Sequence, residues 1–553
     1  MTHTATDAAV LGLTPDDVRQ AVADILGMTP EAIDHERNLI SYGMDSMRMM
    51  RLAGAWRKAG ATTTFRDLAE EPTVERWHAL LTAGRATPAS VVPAQRPARR
   101  STGDPFALTP VQQAYWIGRG QGMTLGSVAC HAYLEFDGQG VDSGRLESAV
   151  RAVIARHPML RARFLDDGRQ QILADSGWTG LTVHDFTSYE DKDARRRAEE
   201  VREGLSHRVL DVAAAETLDV QLSLLPAGRT RIHFNIDLLV ADVASIELVL
   251  ADLATAYTGT PLPAAPAYDF GQYLEDHRSW CGPLTAPDSP AGRARAYWQE
   301  QLPQLPAQGP ALPLAVRPEQ VTRSRFSRRR LTLGKATWGS ITERAREYSL
   351  TPAMVLATAY AQVLAAWSET DDFLLNVPLF DRQPLAPEVP GMVADFTNLV
   401  LLRVDAAHPM PFADRARVLQ RQLQQNASHA EYSTVSVLRD LRRARRDKRV
   451  GAPVVFACNL DSQWVGPEFE AALGEWTWML SQTPQVWLDH QVYKVGDEVV
   501  LAWDAVDELF PEGLIDTMLD AYGALLEELA AQPDSWSRPP RIASPEQLPE
   551  VAR

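Results

Sequence analysis

Residues 230–257 read TRIHFNIDLLVADVASIELVLADLATAY, and two periodicities meet inside them. Ile232, Phe234 and Ile236 alternate with Arg231, His233, Asn235 and Asp237, the period-two signature of a strand with one buried face. From Asp242 onward Ile246, Val249, Leu250 and Leu253 recur at helical spacing. A strand therefore turns into a helix, and the turn gathers Asp237, Asp242 and Ser245. Asp242 with Ser245 three residues on suits a helix N-cap. Asp237 has no such use, because it extends the polar face of the strand.

The totals bound what this turn can belong to. At 553 residues the chain exceeds one ordinary core and predicts three or four folding units. A net charge of −16 argues against nucleic acid as a partner and against a basic membrane-binding surface. Cys130, Cys281 and Cys458 have no pair spacing, so neither a disulfide framework nor a metal site is expected. The start, MTHTATDAAVLG, lacks the basic-then-apolar order of a signal peptide, and no run approaches a membrane span. A cytoplasmic protein is expected.

Residues 1–83 read as a small four-helix bundle. Thr14-Pro15 opens a helix with the stripe Val18, Val22, Ile25 and Leu26, and Thr29-Pro30 opens a second short turn. The loop Asn38–Ser46 leads into a helix bearing Met47, Met50 and Trp56, and Thr73 caps a last one with Val74, Trp77 and Leu81. Ser46 stands at a helix start, where a plain N-cap is one use for it. The segment resembles the aryl carrier proteins of nonribosomal peptide synthetases, whose G-x-D-S motif stands here as Gly43-Met44-Asp45-Ser46. That resemblance implies a 4'-phosphopantetheine arm on Ser46, and a helix N-terminus favours its phosphate. Residues 84–105, rich in Pro, Ala, Arg and Ser, have the composition of a linker.

From Phe106 strands and helices alternate for over four hundred residues, with a helix near Pro352–Trp367 and strands entered at Leu160, Phe373 and Pro453. A proline-rich stretch, 283–318, reads as a crossover between a lobe at 106–285 and another at 286–535; residues 536–553 read as a second linker leading into a longer protein. LTPVQQAYWIGR at 108–119, RHPMLRARF at 156–164, LLNVPLFDR at 374–382, ADFTNLVLL at 394–402 and SQTPQVWLDHQ at 481–491 resemble the condensation-domain superfamily. The resemblance implies an α/β fold of two chloramphenicol-acetyltransferase-like lobes around a tunnel. Ordinary condensation domains carry H-H-x3-D-G; Asp237, Asp242 and Ser245 stand in that place here, which resembles the heterocyclization subfamily.

The resemblance also implies roles. The order of carrier and cyclization domain is similar to the opening of pyochelin- and yersiniabactin-type siderophore synthetases. It implies condensation of a carrier-bound aryl acid, typically salicylate, with a cysteine on a downstream carrier and adenylation module, then cyclodehydration to a thiazoline. A stand-alone aryl-acid adenylating enzyme and a phosphopantetheinyl transferase are the further partners implied. Asp489 is expected to be the acid/base of ring closure, Asp237 to orient or accept from the amine, and Asp242 to pair with Arg161 or Arg163. The family threonine of P-V-V-F-T-S is replaced by Ala457, so Asn376, Ser481 or Gln482 is expected to assist Asp489. His490 reads as a structural neighbour and Cys458 as a small apolar filler. A condensation-only domain, an oxazoline-forming domain and a non-catalytic carrier-docking platform are the other readings open to this sequence. The carrier reading predicts that Ser46→Ala loses the phosphopantetheine mass gain given by a transferase, read by intact-protein mass spectrometry; an unchanged gain would exclude it.

Overall fold

Thr14 and Asp17 close a capping box at the first helix, Pro15–Leu26: the Thr14 hydroxyl accepts from the Asp17 N–H, and the Asp17 carboxylate accepts from the Thr14 N–H. Gly27, in the left-handed region at φ 64°, ends that helix. The computed structural model describes residues 13–44, 48, 49, 52, 53, 55, 56, 61, 63, 67, 68, 71–82, 103–120, 122–322 and 324–542. Ser46, linker residues 84–102 and tail residues 543–553 lie outside them. Val18, Val22, Leu39, Met44, Trp56 and Trp77 fill the core of this first unit, the two indoles meeting edge-on at 5.7 Å. Thr73 accepts from the Arg76 N–H at the helix Val74–Thr82, whereas Thr29 makes no side-chain cap and its turn is the 3-10 segment Pro30–Ala32.

The second unit holds β1 (Phe106–Ala107), β2 (His131–Gln139), β3 (Ala162–Phe164), β4 (Arg169–Ile172), β5 (Thr182–Asp185), β6 (Leu218–Leu224) and β7 (Arg229–Asp237) in its first part. Then come β8 (Phe326–Leu333), β9 (Asp372–Phe380), β10 (Thr397–Asp405), β11 (Val454–Asn459), β12 (Glu475–Gln482), β13 (Leu488–Val495) and β14 (Glu498–Val506). A five-stranded sheet runs β12-β2-β7-β6-β5, a six-stranded sheet β10-β9-β11-β13-β14-β8, and a small one β1-β4-β3. The alternation read at Ile232–Asp237 is the end of β7, and the helix Val243–Tyr257 follows it with Asp242 as N-cap. Pro352–Trp367 is a helix whose residues are buried almost all round, as its continuous apolar sequence requires.

Three expectations are corrected. Leu160 belongs to a 3-10 turn, Pro158–Arg161, because Pro158 fixes the first φ of a turn rather than a strand; β3 starts at Ala162. The crossover at 283–318 contains a helix, Pro290–Gln301, capped by Ser289. The lobes are also not contiguous in sequence. β12 leaves the C-terminal half to pair antiparallel with β2, and Val389, Met392, Phe396, Trp464 and Phe469 join the core under the five-stranded sheet.

The exchange requires close backbone approach. Gly474, at φ 120°, joins the helix Pro467–Leu473 to β12, and a Cβ there would overlap the carbonyl oxygen of Asp137. Gly474→Ala should therefore lose roughly 1–3 kcal/mol of stability, measured by denaturant unfolding; parent stability would remove strand exchange as the reason for that glycine.

Candidate active site

Asp242 does what its spacing predicts and something more. Its Oδ1 accepts from the Ser245 N–H at 2.8 Å, closing the cap. Arg382 reaches the same carboxylate through Nη2 at 2.6 Å and Nε at 3.2 Å. The Arg382 Nη2 also donates to Ser245 Oγ at 2.8 Å, and Ser245 Oγ donates to the Ala394 carbonyl at 2.8 Å. The Ala394 N–H returns to Ser245 Oγ at 3.0 Å. The turn after β7 is thus knotted to the segment between β9 and β10. Arg161 and Arg163 are not the partners: Arg161 donates to the carbonyls of Ile154, Ala155 and Leu173, and Arg163 to Gln171. Arg161 ends the 3-10 turn Pro158–Arg161 and Arg163 lies on β3, while Arg382 comes from the segment after β9.

Asp237 is wholly buried and ion-paired to Arg119, which also donates to the Leu210 carbonyl at 2.7 Å. Its other oxygen accepts from the Leu239 N–H at 3.1 Å. Burial pushes its carboxyl up, against the pull of Arg119. The expected open acceptor for an amine is therefore a brace between β7 and the end of the helix Pro110–Gly118.

Asp489 lies on a charged row that crosses the six-stranded sheet. By register Asn376, Val455, Asp489, Asp504 and Arg328 stand opposite one another on β9, β11, β13, β14 and β8. Asp489 Oδ2 accepts from Gln491 Nε2 at 2.7 Å, while Oδ1 is buried with no hydrogen-bond partner. Burial first, and then the neighbouring Asp504 charge, push the Asp489 carboxyl up to about 7; Gln491, Arg328 and the Ser481 hydroxyl pull the other way. Of the three expected assistants, Ser481 is the one beside Asp489. Asn376 is two strands away, about 10 Å at ordinary strand spacing, and Gln482 Nε2 meets His131 Nδ1 at 3.1 Å on the opposite face of β12. Ala457 pairs in register with Gln491, so the amide of Gln491 projects where a side chain at 457 would compete for Asp489.

The interior these groups share is buried. Cys130, whose Sγ lies 3.5 Å from the Thr483 hydroxyl, feels the charges of Asp237, Asp395 and Asp489; its thiol and the Tyr115 phenol are pushed well above their usual ranges, chiefly by burial. Asp395, not singled out by the sequence, is buried, accepts from the Thr397 N–H at 3.0 Å, and is pushed up to about 8 by burial and by Asp242. The signal for it was a lone acid in an otherwise apolar run beside a threonine. His490 turns to the core, facing the Tyr522 hydroxyl at 3.1 Å, and burial pushes it down to about 3. Cys458 packs on the C-terminal core as expected. Among the described residues no cluster could hold a metal ion and no single helix is long and apolar enough to cross a membrane.

Two facing lobes joined across a buried carboxyl-lined interior define the condensation-domain architecture. The condensation-domain family model matches residues 104–548, and a phosphopantetheine-attachment-site model matches 16–81. The chain belongs to the condensation-domain family and carries a phosphopantetheine-attachment domain before it. It is 41% identical over 544 residues to the phenyloxazoline synthase MbtB of Mycolicibacterium paratuberculosis, covering 97% of this chain and 45% of that protein. It is 40% identical over 537 residues to the pyochelin synthetase PchE of Pseudomonas aeruginosa, covering 96% and 36%. The chain therefore spans less than half the length of these relatives. Among solved structures it resembles the EpoB cyclization-docking bidomain from Sorangium cellulosum, with a TM-score of 0.72 and 32% identity over 83% of this chain and 90% of that one.

Arg382→Ala should leave Asp242, which is fully buried, without its cation and lower stability by about 3–5 kcal/mol. Arg161→Ala, by contrast, should leave the Asp242 knot intact. Equal losses in thermal unfolding would undo the assignment of the latch.

Proposed function

We propose that this chain condenses an aryl acid carried on Ser46 with a cysteine held on a downstream carrier, and then closes the product to an aryl-thiazoline, as part of a siderophore-type nonribosomal peptide synthetase. The observation that carries the reading is the buried carboxyl of Asp489, pushed up to about 7 and with one oxygen unclaimed. Similarity to a pyochelin synthetase and to a cyclization bidomain supports it.

Amide formation needs a positioned amine at an activated acyl group. Orientation alone supplies roughly 7–11 kcal/mol of such a barrier. Two buried imidazoles do not compete for the base role: burial pushes both His131 and His490 down to about 3, and their ring nitrogens are engaged by the Ser206 carbonyl and Gln482 and by Tyr522. Asp237 and Arg119 shape the wall, and the Asp242–Arg382 knot holds the two halves in register. Phosphopantetheine on Ser46 would supply the thioester that activates the aryl acid. Just before that serine, Gly43, at φ 99°, ends the 3-10 segment Leu39–Tyr42, and Met44 is buried.

Ring closure needs a proton removed from the nucleophile and another given to the departing oxygen. A carboxyl titrating near neutrality does both in turn. Asp489 carries its proton below about pH 7 and loses it above, so the dehydration step declines as pH rises through that value. A phosphopantetheinyl transferase, a stand-alone aryl-acid adenylating enzyme and the downstream cysteinyl module complete the system. Similarity to a phenyloxazoline synthase supports a second reading, in which Ser or Thr replaces Cys and the ring is an oxazoline.

Reconstitution with salicyl-loaded chain and cysteinyl, seryl or threonyl carriers separates the two, since ring closure removes one further water from the product mass. With the preferred acceptor, Asp489→Asn should accumulate the linear amide, with cyclisation slowed about 100-fold or more. Ring formation at the parent rate would remove Asp489 from the acid/base role.

A further inference from the structure

The charged row on the six-stranded sheet contains a pair that neither the motifs nor the proposed chemistry uses. Asp504, in the otherwise apolar strand β14, is directly opposite Asp489 in register, so the two Cβ atoms are about 5 Å apart. Arg328 stands opposite Asp504 on β8 and holds its carboxylate in a two-pronged grip, Nε to Oδ1 at 2.7 Å and Nη2 to Oδ2 at 2.5 Å. Both side chains are essentially buried, at 4% and 0% exposure. Ser481 on β12 bridges the two acids: its N–H donates to Asp504 Oδ2 at 3.1 Å, and its hydroxyl acts on Asp489.

We propose that Asp504, clamped by Arg328, is a positioning residue for ring closure that sets how firmly Asp489 holds its proton. The inference rests on the reading of Asp489 as acid/base. A buried, fully hydrogen-bonded ion pair is weak evidence for stability alone, because apolar residues of the same volume do as well. Placed in register beside a lone carboxyl, the pair has an electrostatic effect that apolar residues would lack. Burial pushes the Asp504 carboxyl up while Arg328 and the Ser481 N–H hold it in its anionic form; the acid is one strand from Asp489 and the cation two, so the nearer group dominates. Asp237 and Asp395 are the other acids of this interior, acting with Asp489 on Cys130. Gln491 and Tyr493 share its strand, Tyr115 lies on the helix Pro110–Gly118, Cys130 precedes β2, and Tyr360 is on the helix Pro352–Trp367. The thiol and all three phenols are pushed upward and stay neutral.

The test is the ratio of cyclised to linear product as a function of pH. Asp504→Asn removes the anion and leaves the cation facing Asp489, so the alkaline limb should move to lower pH by about one unit or more. Arg328→Met leaves two facing carboxyls to share one proton, so the limb should move to higher pH. If only one variant folds, its direction alone decides. Limbs that stay at the parent pH, or that move the same way, overturn the inference. Asp489→Asn is run in parallel: if it still closes rings, the acid/base reading has failed, whereas an inactive Asp489→Asn with unmoved limbs fails this inference only.

Discussion

The guanidinium of Arg382 holds the two halves of the large unit to one another. It donates to Asp242, to Ser245 and to the carbonyls of Val389 and Met392, and lies 4.3 Å from the ring centroid of Phe396. Asp242 and Ser245 keep other partners in the Ser245 N–H and in Ala394, but without Arg382 the buried carboxylate would lose its cation. Because Asp242 and Ser245 begin the helix that follows β7, and Arg382 follows β9, the knot fixes one sheet against the other. The distances among Asp237, Cys130, Asp395 and Asp489 follow from that fixed registration.

The interior so formed is buried, and burial governs its acids. Asp237 and Asp242 are each given a cation, and Asp504 is given Arg328. Asp489 and Asp395 are not; burial lifts them to about 7 and about 8, and it pushes Asp237 and Asp504 up as well, against the pull of their arginines. The acids thus fall into two classes, those held by an arginine and those left without a cation and able to exchange a proton near neutrality.

How much of this was legible in the sequence depended on distance along the chain. The strand ending at Asp237, the cap at Asp242 and the helix Pro352–Trp367 rest on local periodicity and on cap-then-proline rules, and they were read directly. Asp489 was legible through a motif. The partner of Asp242 was not, because a cation 140 residues away leaves no mark near its acid, and Arg161 and Arg163 attracted the assignment through motif membership. Gln491 was overlooked inside a quoted motif, since an i, i+2 contact on one strand face matters only once the neighbouring position, Ala457, is known to be empty of donors. Asp504 and Arg328 did leave a trace, a lone acid in VVLAWDAV and an arginine on the inward side of FSRRRLTL. Reading it required knowing that the two strands are neighbours.

The passage of β12 into the opposite sheet limits how the molecule can breathe. Its seven paired positions with β2 would have to be peeled apart before the halves could separate like a hinged clam. Small sliding or twisting about that ladder is the compatible motion. Any widening of the space between the halves therefore has to come from small shifts about an intact ladder, and not from their separation.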